Sequence, residues 1–187
     1  MELKDIRVFV CVPAVGKTYL TELDDRFVDM DELKARYKYA QENLSKREIE
    51  FLKGNRGNPV RTDSKEFIEK TTLKLLAETD KILLFAPNPQ IVDMIYSNGI
   101  PYCLVYHSKD CVEEIAERMR NRGNQENFIR SMTEPIDEFY KASTEDTRPA
   151  FKIELHKGEF LSDKILPILN NQTKNLWNNK LDYTLLE

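Results

Sequence analysis

Cysteine, histidine and glycine are scarce in this chain, at 3, 2 and 6 of 187 residues. Cys11, Cys103 and Cys111 form neither a paired disulfide framework nor a Cys-x-x-Cys clip, which points to a reduced protein without a thiolate metal site. His107 and His156 lack the spacing of metal ligands. No apolar run approaches the roughly 18 residues that a membrane helix needs. Met1–Asp5 is polar and lacks the basic region and cleavage site of a signal peptide, so a cytoplasmic location is expected. Positive charge is not in excess either: 28 basic against 32 acidic residues give a net charge of −4, which argues against a general nucleic-acid coat protein. Internal repeats and low-complexity segments are absent. The single tryptophan, Trp177, reads as a packing anchor of a C-terminal helix.

What is present is a core. Hydrophobic residues make up 41% of the chain, enough for one packed domain. Ile6–Val12 is nearly continuous and β-branched, as expected of a strand buried on both faces of a parallel sheet. Arg26–Met30, Lys81–Ala86, Tyr102–Tyr106 and Phe151–Leu155 read as four more strands. Helical patterns lie between them, at Lys17–Leu23, Ser64–Glu78, Pro89–Ser97, Asp110–Arg122 and Glu126–Lys141, the last interrupted at Pro135. Alternating strands and helices predict an α/β fold with a parallel sheet. Lys53–Arg61, with two glycines and no acid, reads as a mobile loop. The domain is expected to span residues 1–169, followed by a polar tail over 170–187.

The first strand runs into Cys11-Val12-Pro13-Ala14-Val15-Gly16-Lys17-Thr18. The last three positions match the phosphate-loop pattern G-x-x-x-x-G-K-[ST], and Cys11 stands where the first glycine would be. In that motif a strand delivers a loop to a helix N-terminus, whose N–H groups hold phosphates. Pro13, Ala14, Val15, Gly16, Lys17, Thr18 and Tyr19 are therefore candidates to bind the nucleotide, expected to be ATP. Lys17 would reach the outer phosphates and the Thr18 hydroxyl would meet magnesium.

Asp29 and Asp31 follow the second strand, at the end where parallel sheets place their ligands. Beside a magnesium–phosphate centre, one carboxylate can orient the metal and the other can take a proton from an attacking hydroxyl. Asp31 is also suited to cap the following helix, and one residue can do both. A phosphate loop followed by F-V-D-x-D resembles small-molecule kinases of the shikimate-kinase and gluconate-kinase type. That resemblance implies a metal-side role for Asp29 and a substrate role for Asp31. The third strand ends without an acid, which disfavours a motor ATPase.

Arg118, Arg120 and Arg122 cluster in E-R-M-R-N-R-G-N, with Arg118 and Arg122 four residues apart. They suit either a lid, about residues 116–130, whose arginines stabilise a transferring phosphoryl group, or a solvated helix end complementing its dipole. V-P-A-V-G-K-T-Y-L, F-V-D-M-D, G-I-P-Y-C-L-V-Y, R-M-R-N-R-G-N-Q-E-N-F-I and L-H-K-G-E-F-L-S-D together resemble small P-loop kinases encoded by bacteriophages. Similarity also extends to nucleoside monophosphate kinases. The resemblance covers residues 6 to about 163 and implies nucleotide or nucleoside phosphorylation in a host cytoplasm. The expected architecture is a P-loop NTPase fold: a five-stranded parallel sheet in the order 2-3-1-4-5, with helices on both faces.

The acceptor region, about 31–63, lies in a basic stretch: residues 33–70 carry ten basic and six acidic side chains. Arg36 could hold an acceptor phosphate and Tyr37 or Tyr39 could stack on a base. A surface helix with snorkelling cations fits the same residues. His156–Phe160 is a candidate adenine-side loop, with Phe160 near the base. A (deoxy)nucleoside monophosphate kinase is the favoured reading. A kinase acting on DNA and a non-catalytic nucleotide-binding module are the alternatives.

Overall fold

The computed structural model describes residues 1–31, 37–39, 59–61 and 65–169. Five strands form one parallel sheet: β1 (Val8–Cys11), β2 (Phe27–Asp29), β5 (Ile82–Phe85), β6 (Cys103–His107) and β7 (Phe151–Leu155). Their spatial order is β2-β5-β1-β6-β7. Counted along these five strands alone, that is 2-3-1-4-5, as expected. The register places Val8 beside Leu83, Phe9 beside Cys103 and Val105 beside Ile153.

Continuous apolar strands make sense because the sheet is buried on both faces. Alternate side chains leave a strand on opposite sides. Phe9, Cys11, Ile82, Leu84, Cys103 and Val105 join one core with Val15, Leu20, Leu161 and Ile165. Val8, Val10, Leu83, Phe85, Leu104 and Tyr106 join the other with Ile68, Ile91, Val92 and Ile95. Helix α1 (Lys17–Leu23) and the helical residues 161–169, here α7, cover the first face. Helices α2 (Lys65–Glu78) and α3 (Pro89–Ser97) cover the second. Helix α3 starts where Asn88 accepts a hydrogen bond from the Gln90 N–H, with Pro89 in its first turn.

Helix α4 (Val112–Asn121) follows a short 3-10 turn at Lys109–Cys111 rather than starting at Asp110. The expected helix over Glu126–Lys141 is two helices, α5 (Glu126–Thr133) and α6 (Ile136–Glu145). Pro135 separates them because it has no N–H to donate and crowds the preceding turn. Helices α4 and α5 form a third small core from Cys111, Ile115, Ala116, Met119 and Ile129, and Ala14 joins it.

A separate antiparallel pair is made by β3 (Tyr37–Tyr39) and β4 (Pro59–Arg61), with Tyr37 opposite Arg61. This corrects two expectations. Residues 37–39 are strand rather than surface helix, and the last three residues of the expected Lys53–Arg61 loop are strand. Three-residue strands are too short to show periodicity, and their pairing is set by a partner distant in sequence. Arg36, residues 53–58 and the tail with Trp177 lie outside the described residues. Among the described residues, no helix is long and apolar enough to cross a membrane.

Candidate active site at the carboxyl ends of the strands

The β1–α1 loop leaves the sheet at its centre. Cys11 is still part of β1 and is fully buried, with its side chain in the first core. Burial pushes its thiol well above the ordinary range, so it stays protonated. A cysteine in place of the first glycine therefore faces the core and leaves the loop unobstructed. Ala14, the second departure from a glycine-rich loop, adopts a left-handed backbone with φ 66°. Such a conformation disfavours a side chain, but the Ala14 methyl is buried against α4 and α5, which offsets the strain.

Gly16 starts helix α1 with φ 95°. A Cβ there would lie 3.2 Å from Phe160 Cδ1. Glycine is thus required both by the backbone and by the ring of Phe160 packed behind it. Among the described residues, none of the backbone N–H groups from Ala14 to Thr18 meets a protein acceptor. Five backbone donors left open along the loop and the first turn of α1 suit an anion.

Lys17 projects from the first turn of α1 onto the end of β2. Its Nζ lies 3.3 Å from Asp29 Oδ1 and also donates to Asp31 Oδ2. The Asp31 N–H donates to Asp29 Oδ1 at 2.9 Å, which fixes that carboxylate. Side-chain exposures are 16% for Lys17, 6% for Asp29 and 23% for Asp31, so the cluster is largely shielded from water. Burial raises the Asp29 carboxyl above its ordinary range, although the Lys17 charge and the Asp31 N–H pull the other way. Burial also lowers Lys17, but the attraction of Asp31 and Asp29 outweighs it and holds the ammonium above its usual value. Thr18 lies one residue further along the helix.

Asp29, Asp31 and the Thr18 hydroxyl are hard oxygen ligands of the kind magnesium prefers, and the carboxylates already accept a cationic group. Among the described residues, no group of three or more His, Cys, Asp or Glu side chains forms a closed cation cage. Magnesium does not require one, because it usually keeps several waters and takes further oxygens from substrate phosphates.

Two residues had roles that spacing alone did not reveal. His107, which ends β6, is buried and its Nε2 lies 3.0 Å from Pro13 O. The partner is a carbonyl, so the ring nitrogen donates. Burial lowers the His107 pKa, opposed by that same bond. Arg118, expected on a lid, instead packs against the loop. Its Nη1 donates to Ala14 O at 3.1 Å, and its Nη2 donates to Glu159 O at 3.1 Å and to Glu114 Oε1 at 2.6 Å. The guanidinium lies 3.8 Å from the Phe160 ring centroid. Glu114 Oε2 also accepts from the Gly158 N–H at 2.8 Å.

The remaining expected residues are dispersed. Tyr19 is 56% exposed on α1. Arg120 pairs with Glu126 at 2.7 Å across the α4–α5 turn. Arg122 is exposed at the end of α4. Tyr37 is on β3, opposite Arg61. Helices thus occupy the expected lid span, 116–130, and its first arginine belongs to the loop's support.

A five-stranded parallel sheet in the order 2-3-1-4-5 whose central strand feeds this loop defines a P-loop fold. No known family profile and no curated protein sequence matches the chain. Among solved structures, a gluconokinase from Sinorhizobium meliloti is similar at 17% identity with a TM-score of 0.45, over 92% of this chain and 95% of that one. An uncharacterised protein from Eubacterium ventriosum is similar at 15% identity with a TM-score of 0.46, over 88% of this chain and 97% of that one. Function rests on the chemistry of the site itself.

Proposed function

We propose that the protein is an ATP- and magnesium-dependent phosphotransferase for a small anionic acceptor, a (deoxy)nucleoside monophosphate in the favoured form. The observation that carries this reading is the Lys17–Asp29–Asp31 cluster beside a loop whose N–H groups meet no acceptor among the described residues. A purely structural ion pair would not require five open donors next to it.

In the reaction the N–H groups of Ala14 to Thr18 receive the nucleotide phosphates. Lys17 moves from the carboxylates to the outer phosphate, where its charge balances the charge that grows in the transition state. That movement releases Asp31 Oδ2 from its bond to Lys17. A phosphate oxygen of the acceptor then forms a bond to the γ-phosphorus, the bond to the β,γ-bridging oxygen breaks, and ADP leaves. Asp31 takes the proton that a singly protonated acceptor phosphate still carries. Thr18 and Asp29 would hold magnesium, which would supply charge neutralisation at the phosphates. Arg122, exposed at the end of α4, is proposed to close over the phosphoryl group. Arg36 and Tyr37 are proposed to hold the acceptor, as their place in the basic stretch of residues 33–70 suggests.

The test is transfer from labelled ATP with magnesium to nucleosides, nucleoside monophosphates, and single- and double-stranded oligonucleotides. A labelled nucleotide is expected, and Lys17→Ala should lower its formation by a hundredfold or more, on the scale of losing one transition-state donor. Labelled oligonucleotide would move the acceptor to DNA. Binding of ATP without transfer to any acceptor would leave a nucleotide-binding module, and absence of ATP binding would overturn the phosphate-loop reading.

A further inference from the structure

Three successive carbonyls of the phosphate loop are held from behind by three different elements. Pro13 O accepts from His107 of β6 at 3.0 Å. Ala14 O accepts from Arg118 of α4 at 3.1 Å. Val15 O accepts from the Leu161 N–H at the start of α7, at 3.0 Å. In a trans peptide the C=O and the following N–H point in opposite directions. Turning the carbonyls of Pro13, Ala14 and Val15 toward the protein therefore turns the N–H groups of Ala14, Val15 and Gly16 away from it. Those same N–H groups have no acceptor among the described residues.

We propose that His107 and Arg118 are positioning residues of the phosphate loop, holding its peptide planes in the phosphate-ready orientation before any nucleotide arrives. The inference rests on the phosphate-binding reading above. Leu161 contributes through its backbone, so His107 and Arg118 are the two side chains on which the arrangement depends. Arg118 does more than donate one bond. Its planar guanidinium spans Ala14 O and Glu159 O while its face covers Phe160, and Phe160 packs where a Gly16 side chain would be. It ties the phosphate loop to the β7–α7 loop, and Glu114 anchors it on the far side. A lysine cannot reproduce this, because its ammonium is a single point on a flexible stem. The arrangement also accounts for a loop with few glycines. Ala14 keeps its left-handed backbone because its methyl is buried and its carbonyl is held.

The experiment uses the full chain with Arg118→Lys, His107→Ala and His107→Gln. Three quantities are read: magnesium-ATP affinity by calorimetry, 15N backbone order parameters at Ala14, Val15 and Gly16 without nucleotide, and melting temperature. Arg118→Lys and His107→Ala should each weaken ATP binding about tenfold, the scale of one hydrogen bond to a charged or buried group. The order parameters should fall from the rigid range toward the flexible one, below about 0.6. His107→Gln places a side-chain N–H near the same point and should restore most of both. A lower melting temperature with unchanged affinity and unchanged order parameters would reduce the two residues to fold stability and overturn the proposal. If the parent chain bound no ATP, the phosphate reading would fall, and the order parameters would still decide whether these side chains hold the loop.

Discussion

The two ends of the central sheet use similar charged residues in opposite ways. At the amino ends of the strands, two arginines lie closer to water and each pairs with an aspartate two residues away. Arg26 pairs with Asp24, and Arg148 pairs with Asp146. Arg148, 39% exposed, also reaches Asp93 at 3.0 Å. Arg7 spends its guanidinium on the Thr79 and Leu76 carbonyls at the end of α2. At the carboxyl ends, Lys17, Asp29 and Asp31 are less exposed than Arg26 and Arg148, and the loop beside them is held by His107 and Arg118 from far along the chain. Exposed local pairs contribute little and can be satisfied by the chain's own turns. A shielded cluster that leaves neighbouring donors open has a desolvation cost, which a bound ligand can recover.

The sharpest way to break this contrast is Gly16→Ala. The left-handed backbone at residue 16 should cost roughly 1–3 kcal/mol, and the added methyl must displace the Phe160 ring. Melting temperature should fall and ATP affinity should drop by tenfold or more, read by thermal denaturation and calorimetry. An equally stable, equally tight variant would show that the loop is not rigidly specified.

The contrast can also be read as opposite responses to pH. Asp24 is held below the ordinary aspartate range mainly by its hydrogen bond to Arg26. Its contribution to stability is present above the unfolded value of about 3.9 and is lost as pH falls through the lower folded value. Asp29 is raised, with burial as the leading cause. Its protonated form favours folding, and that contribution is lost as pH rises from about 3.9 through the higher folded value. Urea unfolding across acidic pH should therefore show Asp24→Asn removing stability toward neutral pH, whereas Asp29→Asn should flatten the profile in the other direction. Carboxyl NMR titrations moving in the same sense for both residues would refute the assignment.

The smallest effects belong to the amino end. Arg148→Ala should change stability by no more than about 1 kcal/mol, the scale of a surface ion pair, and leave phosphate transfer unchanged. Tyr102 is a sharper probe there. It is 1% exposed, and its hydroxyl has no hydrogen-bond partner among the described residues. Tyr102→Phe removes an unsatisfied polar atom and should be neutral or stabilising by up to about 1 kcal/mol in chemical denaturation. A large loss would mean that the hydroxyl has a partner in solution.

Features carried by local pattern were legible in the sequence. Residues Lys17–Leu23, Pro89–Ser97 and Phe151–Leu155 form elements with the expected bounds, because glycine, proline and asparagine punctuate the helices and apolar runs mark the strand. The sheet order followed as well. Asp29 and Asp31 meet Lys17 because the turn from α1 to β2 is short. What escaped notice depends on contacts that no window of sequence contains. His107 has an ordinary position at the end of an apolar strand, and only folding brings it to Pro13. Arg118 has the spacing of a lid residue, and only the packing of α4 against the loop gives it a different partner. The left-handed backbone of Ala14 was invisible because alanine carries no signal for it.

The three cysteines supply built-in reporters of local opening. All are buried, Cys11 and Cys103 in the core beneath α1 and α7, and Cys111 in the small core shared by α4 and α5. A thiol reagent applied in brief pulses must wait for each region to breathe before it can react. Labelling at Cys111 ahead of Cys11 and Cys103 would mean that the α4–α5 unit parts from the sheet as its own cooperative segment, whereas simultaneous labelling would mean that the domain opens as one body.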